Sequence, residues 1–237
     1  MNEPKISVIT VCYNAVKVIE PTLLSIITQA YDNIEYIVID GGSNDGTVEL
    51  IKKHTDKIAY WVSEPDEGVY DAMNKGIDKA TGSWVYFIGA GDILLNITDK
   101  IAPLLVEPNC IYYGDVYRQD LQCVYGGYYP AYKLAVTNIC HQAIFYPLSA
   151  LKKYKYNTKY KLLADHNLNM QCFGDKDYKF KHLPLLVSIY EGDGISASTP
   201  DLAFFADKPE VIRSNFPFMI YLYTSIRRKL ARLIKKN

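Results

Sequence analysis

Trp84-Val85-Tyr86-Phe87-Ile88-Gly89-Ala90-Gly91-Asp92 has the form of a buried strand that ends in a glycine turn and one acid. Five apolar or aromatic residues run without a charge, two glycines flank Ala90, and a single acid closes the segment. A carboxylate at the carboxyl end of a buried strand is where α/β folds place ligand chemistry. Glycines there permit tight turns and close approach of a ligand to backbone. Three earlier strand-like runs follow the same plan: Ile6 to Val11, Tyr36 to Asp40 and Ile58 to Ser63. They are β-branched or aromatic and almost free of charge, the mark of strands covered on both faces. Between them lie helical patterns. Leu23, Leu24, Ile26 and Ile27 follow Pro21 at a first-turn position. Val48 to Lys53 follows a turn-rich loop in which Asn44 or Asp45 can cap, and Val69 to Ala80 reads as a third helix.

This βαβαβαβ order predicts an α/β fold with a mainly parallel sheet flanked by helices. Its strand ends and loops carry Asn14, Asp40, Asp45, Asp66 and Asp92, so acids and amides converge on one rim. Any one of them reads equally well as a cap or turn residue. Four strand ends in succession favour a site.

Composition narrows the function classes. The 237 residues are 49% hydrophobic and 22% charged, as in a globular protein rather than a disordered one. A formal net charge of zero gives no global field to favour nucleic acid. Twenty-one tyrosines suit a core, a sugar-stacking surface or a membrane-interface belt, and composition does not choose. The five cysteines (12, 110, 123, 140, 172) form no CxxC pair, which favours neither a disulfide framework nor a zinc site. The amino terminus shows no signal-peptide pattern and no apolar run approaches about 18 residues. A cytoplasmic location is expected.

Three segments carry a resemblance: Ile6-Ser7-Val8-Ile9-Thr10-Val11-Cys12-Tyr13-Asn14, Ile39-Asp40-Gly41-Gly42-Ser43-Asn44-Asp45-Gly46-Thr47, and Ser63-Glu64-Pro65-Asp66-Glu67-Gly68-Val69-Tyr70-Asp71-Ala72-Met73-Asn74-Lys75-Gly76. Each alone is weak, but in register at the spacing of successive βα units they resemble the family 2 glycosyltransferases with the GT-A (Rossmann-like) fold. The match is close over residues 5–95 and looser to about 195. The resemblance implies a nucleotide-sugar pocket built from Thr10, Tyr13, Asn14, Asp40, Asp71 and Lys75. An aspartate such as Asp40 can accept a hydrogen bond from a base N–H. Asp92 stands at the family's metal motif, with Ala90 where a first acid is often found. One carboxylate suffices for Mg²⁺ or Mn²⁺ when the donor's phosphates complete the shell, which implies that the metal arrives with the nucleotide.

Beyond Asp92 the alternation stops. Ile111 to Tyr117 and Gln122 to Tyr128 read as a strand pair, part of a small antiparallel acceptor-side region. His141-Gln142 resembles a family feature near acceptor and diphosphate, though a lone histidine is commonly a hydrogen-bonded structural group. Asp165, in Leu163-Ala164-Asp165-His166, lies near the N-cap of a helical pattern and matches the position of the family's general base. An inverting transfer needs such a base to remove the acceptor hydroxyl proton, while a cation meets charge on the departing diphosphate. Phe180 to Tyr190 reads as a further strand, and Glu191 to Ser196 after it as a glycine-bearing loop comparable to a family lid.

The tail changes character from Asn215. Phe216, Met219, Ile220, Tyr223, Ile226, Leu230 and Ile234 share one helical face, Arg228, Lys229, Arg232, Lys235 and Lys236 the other, and no acid follows Glu210. A C-terminal amphipathic helix of this kind suits an anionic membrane surface, or packing on the domain or on a second copy of the chain as a homodimer. The expected organisation is a transferase domain over 1–208, with a nucleotide-sugar half over 1–95 and an acceptor half over 96–208, followed by a basic tail over 209–237. The expected enzyme moves a sugar from a nucleotide-diphosphate sugar, a UDP-sugar first, to a glycan or lipid-linked glycan acceptor at the inner face of the plasma membrane. Its rivals are a silent nucleotide-sugar-binding scaffold and a sugar-1-phosphate nucleotidyltransferase; the segment Cys12 to Lys17 lacks the Gly-rich basic loop that the latter wants.

Overall fold

A computed structural model describes residues 3–192 and 200–234 of the chain. Its centre is β1 (Ile6–Cys12), all seven residues of which are buried. It pairs in parallel with β2 (Ile34–Asp40) on one side and β4 (Trp84–Gly89) on the other, and β3 (Tyr60–Ser63) adds in parallel to β2. Period-2 alternation then splits the apolar side chains between two layers. Ile9, Val11, Ile37, Ile39 and Phe87 pack with Met73 and Ile77 of α3 (Val69–Lys79). Val8, Val38, Tyr86 and Ile88 pack with Leu23 and Ile26 of α1 (Ile19–Ile27). Burial on both faces is why these strands read as continuous apolar runs.

The register aligns the strand ends. Cys12 lies opposite Asp40, Asp40 opposite Ser63, and Val11 opposite Gly89. The loops that follow therefore open on one rim. The helix α2 (Thr47–Lys52) begins there, and Asp45 rather than Asn44 holds its first turn, accepting from the Thr47 backbone N–H at 3.0 Å and hydroxyl at 2.6 Å. The third strand starts two residues later than the sequence suggests, because a 3₁₀ turn over Thr55–Lys57 delays it.

The second half continues the same sheet. After α4 (Thr98–Ile101) come β6 (Cys110–Arg118), β7 (Cys123–Tyr125), α5 (Ala131–Val136), β8 (Ile144–Pro147), α6 (Leu148–Tyr154), α7 (Ala164–Gly174) and β9 (Lys179–Tyr190). The strand β8 joins β4 to β6 antiparallel to both, and β9 runs parallel to β6. The two-residue strand β5 (Ile93–Leu94), immediately beyond Asp92, pairs with β9 at the far edge. The order is β3-β2-β1-β4-β8-β6-β9-β5, with β7 as a hairpin on β6. β7 is shorter than expected because the Gly127 backbone N–H turns in to the Asp115 carboxylate at 2.6 Å, ending the ladder.

Two helices finish the described chain, α8 (Leu202–Asn215) and α9 (Phe218–Ile234). α8 runs through the expected boundary at 208–209, and the break in helix comes instead at Phe216 and Pro217. Phe216 is buried and stacks on Phe173, with ring centroids 4.9 Å apart. It therefore anchors the tail instead of belonging to the apolar face of α9. Ile220 and Tyr221 touch the core, whereas Met219, Tyr223, Ile226 and Leu230 are at least 49% exposed. The loop read as a lid lies outside the described residues from position 193 on, as do Lys235 and Lys236. Among the described residues no helix is long and apolar enough to cross a membrane.

Candidate active site

At the ends of β1 and β2 the loops are tied to one another. Asn14 sits at φ 47°, a conformation asparagine tolerates better than most side chains. Its backbone N–H donates to Ser43 Oγ at 2.7 Å and its side-chain oxygen accepts from the Asn44 N–H at 3.1 Å. Asp40 is wholly buried and takes hydrogen bonds from the Gly42 and Ser43 N–H groups and from the Ser43 and Ser63 hydroxyls, the last at 2.6 Å. It builds the floor of the rim, and a bond from it to a base would displace one of these donors. Thr10 is also wholly buried, within 3.0 Å of the Tyr36 hydroxyl, so it lies beneath the rim rather than on it. Tyr13 does face outward, 65% exposed. A methyl group on Gly41 would meet the Asp66 carboxylate at 2.5 Å and the Tyr13 ring at 3.4 Å. Only glycine lets these two side chains close over the loop.

Asp71 and Lys75 lie one turn apart on α3, 3.7 Å from carboxylate to ammonium. Lys75 is held more closely by Glu64, at 2.9 Å, and by the Pro65 carbonyl, at 2.8 Å. The pair thus clamps the segment leading into α3. Asn74 is structural: its amide exchanges two 2.9 Å hydrogen bonds with the backbone of Tyr156.

The two remaining acids are brought together by a single 3₁₀ turn, His141–Ala143. Gln142 Nε2 donates to Asp92 Oδ2 at 2.7 Å, while His141 Nδ1 stands 3.8 Å from Asp165 Oδ2. Adjacent residues of one turn therefore reach acids 73 positions apart in sequence, at 92 and 165. The expected acceptor-side pair is the bridge between them.

Asp92 is nearly buried; Oδ1 accepts from the Glu191 N–H at 3.1 Å. Burial pushes its carboxyl above the usual range, against the pull of Gln142 and the Glu191 amide. Gly91 turns at φ 104°, and a methyl group there would meet Glu191 Oε2 at 2.5 Å. The Glu191 carboxylate thus lies beside the turn that carries Asp92, in the neighbourhood where Ala90 leaves an acid missing. Among the described residues no group of three or more His, Cys, Asp or Glu side chains forms a ready metal cage. Two hard carboxylates do fit Mg²⁺ or Mn²⁺ if a ligand's phosphate oxygens and waters supply the rest.

Asp165 is the second residue of α7, where an N-cap was expected, and its carboxylate does not cap the helix. It accepts instead from the Tyr70 hydroxyl at 2.9 Å, from the His166 N–H at 2.8 Å and from Asn138 Nδ2 at 2.7 Å. Burial raises its pKa, opposed first by His141 and then by Tyr70 and the His166 amide. Behind it runs a directed chain of buried groups. The Tyr146 hydroxyl donates to Asn169 Oδ1 at 2.8 Å, and Asn169 Nδ2 donates to Asn138 Oδ1 at 2.8 Å, leaving the Asn138 amide hydrogens for Asp165. Every donor in this chain points toward the carboxylate, which favours an ionised acceptor over a protonated one. Sequence reading does not find Asn138, Asn169, Tyr146 or Glu191 as site residues; only Tyr70, inside the Ser63-to-Gly76 segment, had a local signal.

The family described as Glycosyl transferase family 2 matches residues 7–105. A PGL/p-HBAD biosynthesis glycosyltransferase of Mycobacterium tuberculosis is 33% identical over 233 residues, covering 94% of this chain and 91% of that protein. The chain belongs to glycosyl transferase family 2. Among solved structures, this family 2 glycosyltransferase superimposes on Staphylococcus aureus TarS 1-349 in complex with UDP-GlcNAc with a TM-score of 0.70. The two share 19% identity over 88% of this chain and 64% of that one. The mannosyltransferase PcManGT of Pyrobaculum calidifontis, in complex with GDP-Man and Mn²⁺, gives a TM-score of 0.63 at 18% identity, over 96% of this chain and 65% of that one. At such identities the likeness concerns the fold, which is the GT-A arrangement expected from the sequence.

Proposed function

We propose that this family 2 glycosyltransferase inverts the anomeric centre as it moves a sugar from a nucleotide-diphosphate sugar, a UDP-sugar first, to a glycan acceptor carried on a lipid. The observation that carries this reading is the His141–Ala143 turn, whose side chains approach the two buried acids at 2.7 and 3.8 Å. Asp165 acts as general base, accepting the acceptor hydroxyl proton as its oxygen attacks the anomeric carbon. The directed chain from Tyr146 keeps it ionised and oriented. Asp92, with Glu191 beside it, holds the diphosphate end. A divalent cation bound there with the donor supplies charge to balance the leaving diphosphate. Gln142 fixes the Asp92 carboxylate by hydrogen bonding, and His141 stands beside Asp165 at the other end. Tyr13, Asn14, Asp66, Asp71 and Lys75 border the nucleotide. TarS and PcManGT, solved with nucleotide sugars, support a donor of this class. The basic helix α9, beyond the break at Phe216 and Pro217, holds the enzyme peripherally at the inner face of the plasma membrane.

A thermal-shift screen over UDP- and GDP-sugars, with and without Mn²⁺, tests the donor claim. The right donor at a hundred times its Kd adds about 2.7 kcal/mol of stability by mass action. Absence of any shift across the panel would sink the reading. A donor shift with no transfer to any lipid-linked or soluble glycan would favour the silent scaffold.

A further inference from the structure

A cavity lies away from these acids, between α5, α8 and α9. Its volume is about 230 Å³, and Ala135, Val136, Phe205, Pro209 and Ile212 give it an apolar wall. Three cations, Lys208, Arg227 and Arg228, share that lining, and no acid does. The acids nearest in sequence are engaged elsewhere: Asp207 with Lys159, and Glu210 with Arg213. Lys208 donates to the Val136 carbonyl at 2.9 Å, which satisfies a proton but offsets no charge. Arg227 and Arg228 have no carboxylate partner among the described residues. Burial, helped by Arg227, pushes the Lys208 ammonium down to about 8, so positive charge here lacks an anion.

The surface around this cavity is unusual for a helix packed on a domain. α9 turns Thr224, Ser225, Arg227 and Arg228 toward the cavity and leaves Met219, Tyr223, Ile226 and Leu230 outward. Leu222 and Phe218 extend the outward stripe, and Phe205 of α8 is 51% exposed beside the opening. Water alone is a poor neighbour for so much contiguous apolar surface.

We propose that the cavity seats the phosphate headgroup of an anionic bilayer phospholipid, with Lys208, Arg227 and Arg228 on the phosphate and the outward face of α9 in the acyl boundary. The chemistry chooses this occupant. A free phosphate would use the cations and waste the apolar wall, and a neutral lipid would do the reverse. A second copy docked symmetrically through this face would set cations against cations, because α9 carries no acid. The inference deepens the tail's proposed membrane placement and is independent of the donor chemistry. It also has a route to the reaction. The segment whose Val136 carbonyl binds Lys208 presents the Leu134 carbonyl to His166, at 2.7 Å, and Asn138 to the adjacent Asp165, at 2.7 Å. Lipid at the seat would thus bear on the segment that orients the base.

Co-sedimentation of the full chain with phosphatidylcholine vesicles, with and without 30 mol% phosphatidylglycerol at about 0.15 M salt, is the test. The expected result is binding that requires phosphatidylglycerol. General surface attraction costs roughly fivefold for any single cation lost, so Lys208→Met and Lys229→Met would then weaken binding alike. The seat instead predicts at least a twentyfold loss for Lys208→Met against fivefold or less for Lys229→Met, and at least a hundredfold loss for the more exposed pair Arg227→Ala with Arg228→Ala, where surface attraction alone would cost about twenty-five-fold. Dihexanoyl phosphatidylglycerol below its micelle concentration should raise the melting temperature where inorganic phosphate does not. Equal losses at 208 and 229, equal effects of phosphate and lipid, binding to pure phosphatidylcholine, or dimerisation in place of vesicle binding would each overturn it. A donor-induced thermal shift measured in the same variants keeps this outcome separate from the transferase reading and reports that they fold.

Discussion

Asp165 concentrates the residue-scale chemistry. A base must be ionised to act, so kcat/KM should fall as pH falls through the Asp165 pKa. Burial lifts that pKa, which sets the acid limb above the ordinary carboxylate range. His141 pulls in the other direction, so His141→Gln should move the limb to higher pH, and a pH–rate profile of both proteins reads the shift. Asn138→Ala should move it the same way, since a donor to the charged form is lost. It should also cost about 1.5–3 kcal/mol of stability, the worth of a hydrogen bond to a charged group, measured by urea unfolding. An unchanged limb in both variants would remove Asp165 from the base role. The acid itself was legible in the sequence. Asn138, Asn169 and Tyr146 were not, because their function is mutual: each supplies a donor only once β8, α7 and the segment after α5 are packed together.

At the scale of elements, the His141–Ala143 turn and the end of β9 complete what β4 begins. Asp92 gains its hydrogen bonds from both, one from Gln142 and one from the Glu191 amide. Glu191→Gln should therefore weaken Mn²⁺ binding by about tenfold in the presence of donor, as expected when a supporting group of a metal site is lost. Isothermal titration of Mn²⁺ into the donor complex measures it, and unaltered affinity would show that Asp92 works alone. The parallel strands β1 to β4 were readable because apolar runs buried on both faces announce themselves. The acceptor side was readable in part. The runs that become β6, β7 and β9 read as strands, whereas β5 has two residues and β8 four, too short to carry a periodic signal. The tail shows the opposite failure. Its amphipathic pattern was plain, but which face turns outward depends on Phe216 being claimed by Phe173.

Across the described residues, one nine-stranded sheet carries both halves of the proposed reaction. The proposed donor rim stands on β1, β2 and β3, the proposed base on α7, and β4 with β8 joins them. Donor and cation should then stabilise the protein together by more than the sum of their separate thermal shifts, since each supplies ligands for the other. Strictly additive shifts would separate the cation from the donor site. The central claim is that Asp165 is the base facing a donor held at Asp92, and it is tested most directly by single-turnover sugar transfer in Asp165→Asn. Transfer from the bound donor should fall by a factor of roughly 10² to 10⁴, the usual contribution of a general base, while donor affinity stays within threefold of wild type. Retention of most of the transfer rate at unchanged donor affinity would contradict it.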